Sequence, residues 1–129
     1  MKKIIVLAIT ALFIFGINSK LNAQTTMHTP LRHVVLFKFK DGTTPADIKT
    51  IVDAFGQLPK KIKTIKDFEW GTNNSPEKLN EGLSHCFFVT FTSEKDRDNY
   101  LVDPAHKAFV EVLKPHLDKA VVFDYWANK

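Results

Sequence analysis

The stretch LSHCFFVTFT, Leu83 to Thr92, decides the fold of this chain. Its aromatic and β-branched residues follow a polar loop, which predicts a β-strand. Successive side chains of a strand point to opposite faces of the sheet. One face of this strand therefore carries His85, Phe87, Val89 and Phe91. Cys86 and Phe88 lie on the other face, so the strand is apolar on both sides.

Two further segments have the same property. LRHVVLFKFK, Leu31 to Lys40, and KAVVFDYWA, Lys119 to Ala127, both predict strands that are apolar on both faces. IKDFEWGTN, Ile65 to Asn73, predicts a fourth strand. An antiparallel sheet with one face in water alternates apolar and polar residues, and these strands do not. Both faces of the predicted sheet must therefore be covered.

Helical segments separate the strands. Thr44 and Pro45 suit the start of a helix that Gly56 and Pro59 end. Ser93 caps a second, short helix that carries Asp96 and Tyr100, and Asp103 with Pro104 starts another directly after it. This last helix is expected to bury three apolar residues, Phe109, Val112 and Leu113. The order β-α-β-β-α-β predicts an α+β, ferredoxin-like sandwich.

The helices of such a sandwich cover only one face of its sheet. A second copy of the chain, packed sheet to sheet through a two-fold axis, is the simplest cover for the other face. The pattern therefore predicts a homodimer through the sheet face, with a shared core that resembles a barrel. A different partner protein would satisfy the same pattern.

The N-terminus has the three parts of a secretory signal peptide. Lys2 and Lys3 precede an apolar run, Ile4 to Ile17, and Ala23 is a small residue suited to cleavage before Gln24. The run is shorter than the ~20 residues of a membrane span, so no stable membrane anchor is expected. We predict a signal peptide over 1–23, a flexible lead-in over 24–30 and export to the periplasm or medium. The alternative is an uncleaved N-terminal anchor.

Charge and cysteine content narrow the function further. The formal net charge of +4 derives largely from the leader, because removing residues 1–23 leaves 15 basic against 14 acidic side chains. This near-neutral balance gives no case for nucleic-acid binding. The single cysteine, Cys86, cannot form an internal disulfide, and its apolar strand favours a buried, inert thiol over a catalytic or intermolecular one.

Several short sequence motifs along the chain have counterparts in a known protein family. They are HVVLFKFK, FEWGTNNSPE, HCFFVTF, YLVDPAHKAF and VVFDYW. Together they resemble the Dabb family, the stress-responsive dimeric α/β-barrel domains, over nearly all of residues 31–127. The resemblance implies a ferredoxin-like protomer and a sheet-to-sheet dimer, in agreement with strands that are apolar on both faces.

The resemblance also implies site residues. In a plant cyclase of this family, a tyrosine and a histidine that flank an HPAH word carry an aldol-type cyclisation of a polyketide chain. The matching residues here are Tyr100 and His106, and Asp103 stands where the cyclase has histidine. Two histidines in or near the cyclase site match His33 and His85.

The chemistry of these residue types supports such roles. His106 could act as a base toward a carbon beside a carbonyl, and Tyr100 could donate a hydrogen bond to the developing enolate oxygen. The break at Asp103 lets residues six apart converge. The structural alternative is that Tyr100 and His106 only fasten a helix to the sheet. His33 and His85 are then satisfied core histidines, and antiparallel strands would put them at opposite ends.

The leading hypothesis is a pocket between the helices and the sheet, lined by Phe37, Phe55, Phe87 and Phe109. It would bind a small, mostly apolar molecule with a carbonyl group and support cofactor-free proton transfer. The alternative is a non-catalytic, stress-related dimerisation module. No metal site is expected, because the chain has neither a His-x-x-x-His nor a Cys-x-x-Cys pair.

Overall fold

The computed structural model describes residues 29–128 of the chain. The predicted signal peptide lies outside the described residues, as does most of the lead-in. The elements in chain order are β1 (Leu31–Phe39), α1 (Pro45–Gly56), α2 (Leu58–Lys61), β2 (Asp67–Thr72), β3 (His85–Phe91), α3 (Glu94–Val102), α4 (Pro104–Leu113) and β4 (Leu117–Trp126). No helix of this part of the chain is long and apolar enough to cross a membrane.

The four strands form one antiparallel sheet in the order β2-β3-β1-β4. In this sheet β1 is central and β4 is an edge strand. His33 pairs with Val89 on one side and with Asp124 on the other, while Phe37 pairs with His85. The helices lie against one face, which confirms the predicted α+β, ferredoxin-like fold.

The predicted helix starts are confirmed. The Thr44 hydroxyl accepts a hydrogen bond from the Asp47 amide, and the Asp47 carboxylate accepts one from the Thr44 amide, which completes a capping box. The Ser93 hydroxyl accepts a hydrogen bond from the Asp96 amide at the start of α3, and the Asp103 carboxylate accepts one from the Ala105 amide at the start of α4. Each cap satisfies a backbone donor that the first turn of a helix leaves unpaired.

Two details of the helices differ from the prediction. Pro59 does not end the helical segment but lies in the first turn of the short helix α2, where a proline costs no hydrogen bond. Val112 is 40 % exposed instead of buried. Phe109 and Leu113, four residues apart, face the sheet, and Val112 falls on the flank of α4 outside that arc.

The covered face of the sheet holds the core. Its fully buried members include Phe87, Val89 and Phe91 from β3, which meet Ile51 and Phe55 from α1. The Phe55 ring stacks on the Phe87 ring with centroids 4.5 Å apart. Burial of several aromatic rings, each contributing on the order of 2–3 kcal/mol, stabilises this packing without a disulfide.

The opposite face carries apolar residues that no described residue covers. Phe123 is 63 % exposed and Tyr125 is also exposed, although their rings contact each other with centroids 6.0 Å apart. Val34, Leu36 and Phe88 are only partly buried beside them. We call this surface, formed by Val34, Leu36, Phe88, Phe123 and Tyr125, the open face.

Candidate ligand site

A cavity of about 330 Å³ lies between the helix pair α3–α4 and the strands β1 and β4. Its walls are mainly apolar and include Val35, Phe37, Phe55, Phe109, Leu113 and Val122. Four polar side chains also reach it, namely His33, Tyr100, His106 and Asp124. An apolar cavity with a few convergent polar groups is the usual form of a small-molecule site, and this volume is at the small end of the range.

Tyr100 and His106 meet at this cavity because the chain breaks between them. Asp103 has an extended backbone, which ends α3, and its carboxylate accepts a hydrogen bond from the Ala105 amide to start α4. The turn brings the two rings to a centroid distance of 4.4 Å. The convergence that the Asp-Pro break allows is therefore present in the structure.

His106 is held by one of its two ring nitrogens. Its Nδ1 lies 3.2 Å from the Leu101 carbonyl oxygen, to which it donates a hydrogen bond. The neutral ring then carries its free electron pair on Nε2. Burial lowers the pKa of His106, and the neighbouring His33 adds to this, while the Leu101 carbonyl and Asp103 oppose it. His106 is therefore neutral near pH 7, as a base has to be.

Tyr100 supplies a hydrogen-bond donor next to this base. Its side chain is 1 % exposed, and burial raises its pKa well above the usual value. The hydroxyl therefore stays protonated at neutral pH and can act as a donor.

His33 belongs to a chain of polar contacts along the cavity wall. Its Nδ1 lies 2.7 Å from Asp124 Oδ1, and Asp124 Oδ2 accepts a hydrogen bond from the Arg97 guanidinium at 3.1 Å. The His33 ring packs edge-on against Tyr100 at 5.7 Å. Asp124 and Arg97 were not predicted from the sequence. Asp124 could have been predicted as a site residue, because it is the single charged residue in the apolar motif VVFDYW and strand alternation places it on the covered face.

His85 lies away from His33, Tyr100 and His106. It pairs with Phe37 at the far end of β1, as antiparallel strands require, and its Nδ1 lies 2.9 Å from the Ser84 hydroxyl. Its ring stacks on Trp70 at 6.1 Å, and burial lowers its pKa. His85 lines a second cavity of about 390 Å³ between α1 and β2, together with Val52 and Trp70.

The four predicted phenylalanines do not all line the pocket. Phe37, Phe55 and Phe109 line the cavity that holds His106. Phe87 does not, because its fully buried ring lies behind Phe37 and Phe55. Strand alternation predicts the face of Phe87 correctly, but it does not predict how deeply the ring is covered.

Metal and thiol chemistry find little support in the described residues. Within residues 29–128, no group of three or more His, Cys, Asp or Glu side chains is arranged to hold a metal ion. Cys86 is half-buried on the open side of the sheet, and burial, helped by Glu69, raises its pKa. A raised pKa disfavours the reactive thiolate.

The fold and this site define a ferredoxin-like α+β domain with acid–base side chains at a small apolar cavity. The family model of the stress-responsive A/B barrel domain, Dabb, matches residues 31–127. The chain belongs to the Dabb family.

Two plant proteins are similar to this chain along most of its length. The stress-response A/B barrel domain-containing protein HS1 of Arabidopsis thaliana is 38% identical over 96 residues, which cover 74% of this chain and 88% of HS1. Olivetolic acid cyclase of Cannabis sativa is 31% identical over 99 residues, which cover 77% of this chain and 98% of the cyclase.

Solved structures show the same fold. A hydroxynitrile lyase from Passiflora edulis superposes with a TM-score of 0.74 at 28% identity, covering 79% of this chain and 96% of the lyase. A dimeric protein with a ferredoxin-like fold from Bacteroides fragilis superposes with a TM-score of 0.64 at 25% identity, covering 77% of this chain and 97% of that protein.

Proposed function

We propose that this protein binds a small, mostly apolar molecule with a carbonyl group and catalyses proton transfer beside that carbonyl without a cofactor. The observation that carries the proposal is the pairing of a neutral histidine with a protonated tyrosine at one apolar cavity. His106 and Tyr100 have rings 4.4 Å apart, and both line the 330 Å³ cavity. At neutral pH the His106 ring can accept a proton, whereas the Tyr100 hydroxyl can donate a hydrogen bond, and proton transfer beside a carbonyl requires both roles.

The reaction would proceed through an enolate. Nε2 of His106 takes a proton from the carbon beside the carbonyl, and the C–H electron pair moves into the enolate. The Tyr100 hydroxyl donates a hydrogen bond to the oxygen on which negative charge develops. The enolate then either regains a proton from the His106 imidazolium or attacks a second carbonyl, in which case the imidazolium protonates the new alkoxide.

The apolar walls contribute to the same chemistry. They exclude water, which strengthens the interaction of the enolate with Tyr100 and keeps His106 neutral in the resting site. They also favour an apolar substrate body over a charged one. Two similar proteins support a cyclase- or lyase-like role, since one is named olivetolic acid cyclase and the other a hydroxynitrile lyase.

We further propose that the working form is a homodimer packed through the open face. Phe123 and Tyr125 expose aromatic surface there, and a second copy buries it with the same residues. The similar protein from Bacteroides fragilis is described as dimeric.

The leader pattern supports export, and the mass of the protein isolated from its cell envelope tests this, since cleavage after Ala23 leaves Gln24 as the first residue.

The catalytic proposal can be tested with 2-heptanone in deuterated buffer. Deuterium exchange at the carbons beside the carbonyl, followed by NMR, is expected to be faster with the protein than with buffer alone. His106→Ala should lose at least about a hundredfold of this acceleration, as expected for a lost general base, and Tyr100→Phe should lose about tenfold or more.

His116→Ala is the matched control, because His116 is half-buried outside the cavity. It is expected to keep the full exchange rate. Equal exchange in wild type, His106→Ala and buffer would contradict proton-transfer chemistry at this site.

A non-catalytic dimerisation module is the second candidate. The observation that favours it is the open face, which needs a partner whether or not the cavity works. This function predicts that His106→Ala changes neither ketone binding nor self-association, whereas substitution of Phe123 changes self-association alone.

A further inference from the structure

We propose that the ring of Phe87 sets the upper limit on ligand length by separating two cavities that would otherwise form one channel. This inference rests on the proposed function and specifies its substrate class as short-chain carbonyl compounds. It follows from the positions of the two cavities on the covered face of the sheet.

The two cavities lie on opposite sides of the same face, the first beside β1 and β4 and the second beside β2 and β3. The first, about 330 Å³, is lined by His33 and His106 and reaches inward as far as Phe37 and Phe55. The second, about 390 Å³, is lined by Trp70, His85 and Val52 and opens between α1 and β2. The strand order β2-β3-β1-β4 fixes this separation, because β3, which carries Phe87, lies between β2 and β1.

Phe87 stands between the two groups of lining residues and lines neither cavity. Its ring centroid is 4.5 Å from Phe55 and 5.2 Å from Phe37, which belong to the first cavity. On its other side it is 6.1 Å from Trp70 and 6.4 Å from His85, which belong to the second. Phe39 also links the two groups, since its ring lies 6.1 Å from Phe37 and 5.3 Å from His85, but the Phe87 ring is the one that approaches two lining residues on each side.

A ligand anchored at Tyr100 and His106 has to end at the wall that the Phe87 ring forms. A cavity of about 330 Å³ is at the lower limit for small-molecule sites, so a short chain fills it. Additional methylene groups have no apolar surface to bury unless the wall opens. Each methylene that does find such surface strengthens binding about fourfold.

The test is Phe87→Val, which removes the ring and retains a residue suited to a β-strand. A series of 2-alkanones from 2-pentanone to 2-undecanone is titrated against both proteins by calorimetry. Wild type should show no gain in affinity beyond a short chain. Phe87→Val should bind the longest ketones at least tenfold more tightly than wild type, with 2-pentanone unchanged within about threefold.

Trp70 provides a second readout, because it lines only the second cavity. In a Trp126→Phe background it is the remaining tryptophan of the chain. Long ketones should change its fluorescence in Phe87→Val and leave it unchanged when Phe87 is present. Phe68→Val is the control, since Phe68 contacts Phe55 at 5.2 Å and Phe87 at 6.3 Å but lines neither of the two cavities.

The result that overturns the proposal is an identical chain-length profile in wild type and Phe87→Val. If Phe87→Val does not fold, Phe87→Leu is subject to the same test with the same expected direction. Failure of the proposed function is distinguishable, because it would remove the effect of His106→Ala on ketone binding. A crystal of Phe87→Val under xenon pressure reports the channel independently of any carbonyl: continuous xenon sites from His106 to Trp70 support it, and two separate sites overturn it.

Discussion

The two faces of the sheet carry similar apolar side chains but differ in how far these side chains are buried. On the covered face, Phe87 and Phe91 are completely buried by α1 and its neighbours. On the open face, Phe123 is 63 % exposed although it belongs to an equally apolar strand. The difference lies in what packs against each face, because the helices cross only one of them. Stability and the candidate site therefore reside on the covered face, and assembly is expected on the open one.

The largest effect should come from a truncation on the covered face. Phe55→Ala is expected to lower the free energy of unfolding by about 3–5 kcal/mol, because the ring contacts Phe87 and Phe109 and leaves a cavity. Phe88→Ala on the open face should cost the protomer less than about 1 kcal/mol, since Phe88 is only partly buried there. Urea unfolding of the two variants measures the difference, and equal losses would contradict the contrast between the faces.

A charge on the open face should act on assembly instead of folding. Phe123→Asp is expected to raise the dimer dissociation constant at least a hundredfold, or about 2.7 kcal/mol, because it places two carboxylates in an apolar interface. Val102→Asp is the matched control, since Val102 is also 63 % exposed but lies at the end of α3. Sedimentation equilibrium distinguishes the variants, and a wild-type monomer would refute the dimer.

The polar chain on the covered face should give a smaller effect. Asp124→Ala removes the acceptor of both His33 and Arg97 and is expected to lower the free energy of unfolding by about 1.5–2 kcal/mol. This is the low part of the range for hydrogen bonds to charged groups, because Asp124 is 24% exposed. Asp124→Asn retains an acceptor oxygen for His33 and should cost less. Thermal unfolding at pH 7 ranks the variants. A melting temperature of Asp124→Ala equal to that of wild type would show that these polar contacts do not stabilise the fold.

The smallest effect is the dependence on pH. The pKa of His106 and that of His85 are lowered from 6.5 by burial, so the unfolded chain binds more protons below pH 6.5. Stability is therefore complete above about pH 6.5 and falls as the pH drops toward the folded-state values. The proton-transfer rate should fall in the same direction, because the base becomes protonated.

Urea unfolding between pH 7.5 and 5 measures this slope while most carboxyl groups remain ionised. His106→Gln should flatten part of it. A slope that is unchanged in both His106→Gln and His85→Gln would show that neither imidazole is responsible.

The parts of the site that were predicted depend on local pattern. Tyr100 and His106 lie on either side of Asp103, which ends one helix and caps the next. This break can be recognised from a few neighbouring residues, and the convergence of the two side chains follows from it. Asp124 was missed because it approaches His33 from a strand 91 residues away, and only the pairing of β1 with β4 brings the two together.

His33 and His85 make the same point by their contrast. Both occur at the start of a strand and on the same face, so the local pattern treats them alike. The antiparallel register separates them, and His33 meets Asp124 and Tyr100 while His85 meets Ser84 and Trp70.

The sequence by itself determined the four strands, the helices α1, α3 and α4 with their caps, the two apolar faces and the order β-α-β-β-α-β. These features follow from side-chain periodicity and short-range hydrogen bonds, which act over a few residues. Only the tertiary structure decided that Phe87 is covered by Phe37 and Phe55 and lines neither cavity, and that His33 meets Asp124 and Tyr100 while His85 meets Trp70. Both outcomes depend on how rings from distant segments fill a shared volume, and a one-dimensional pattern does not encode that volume.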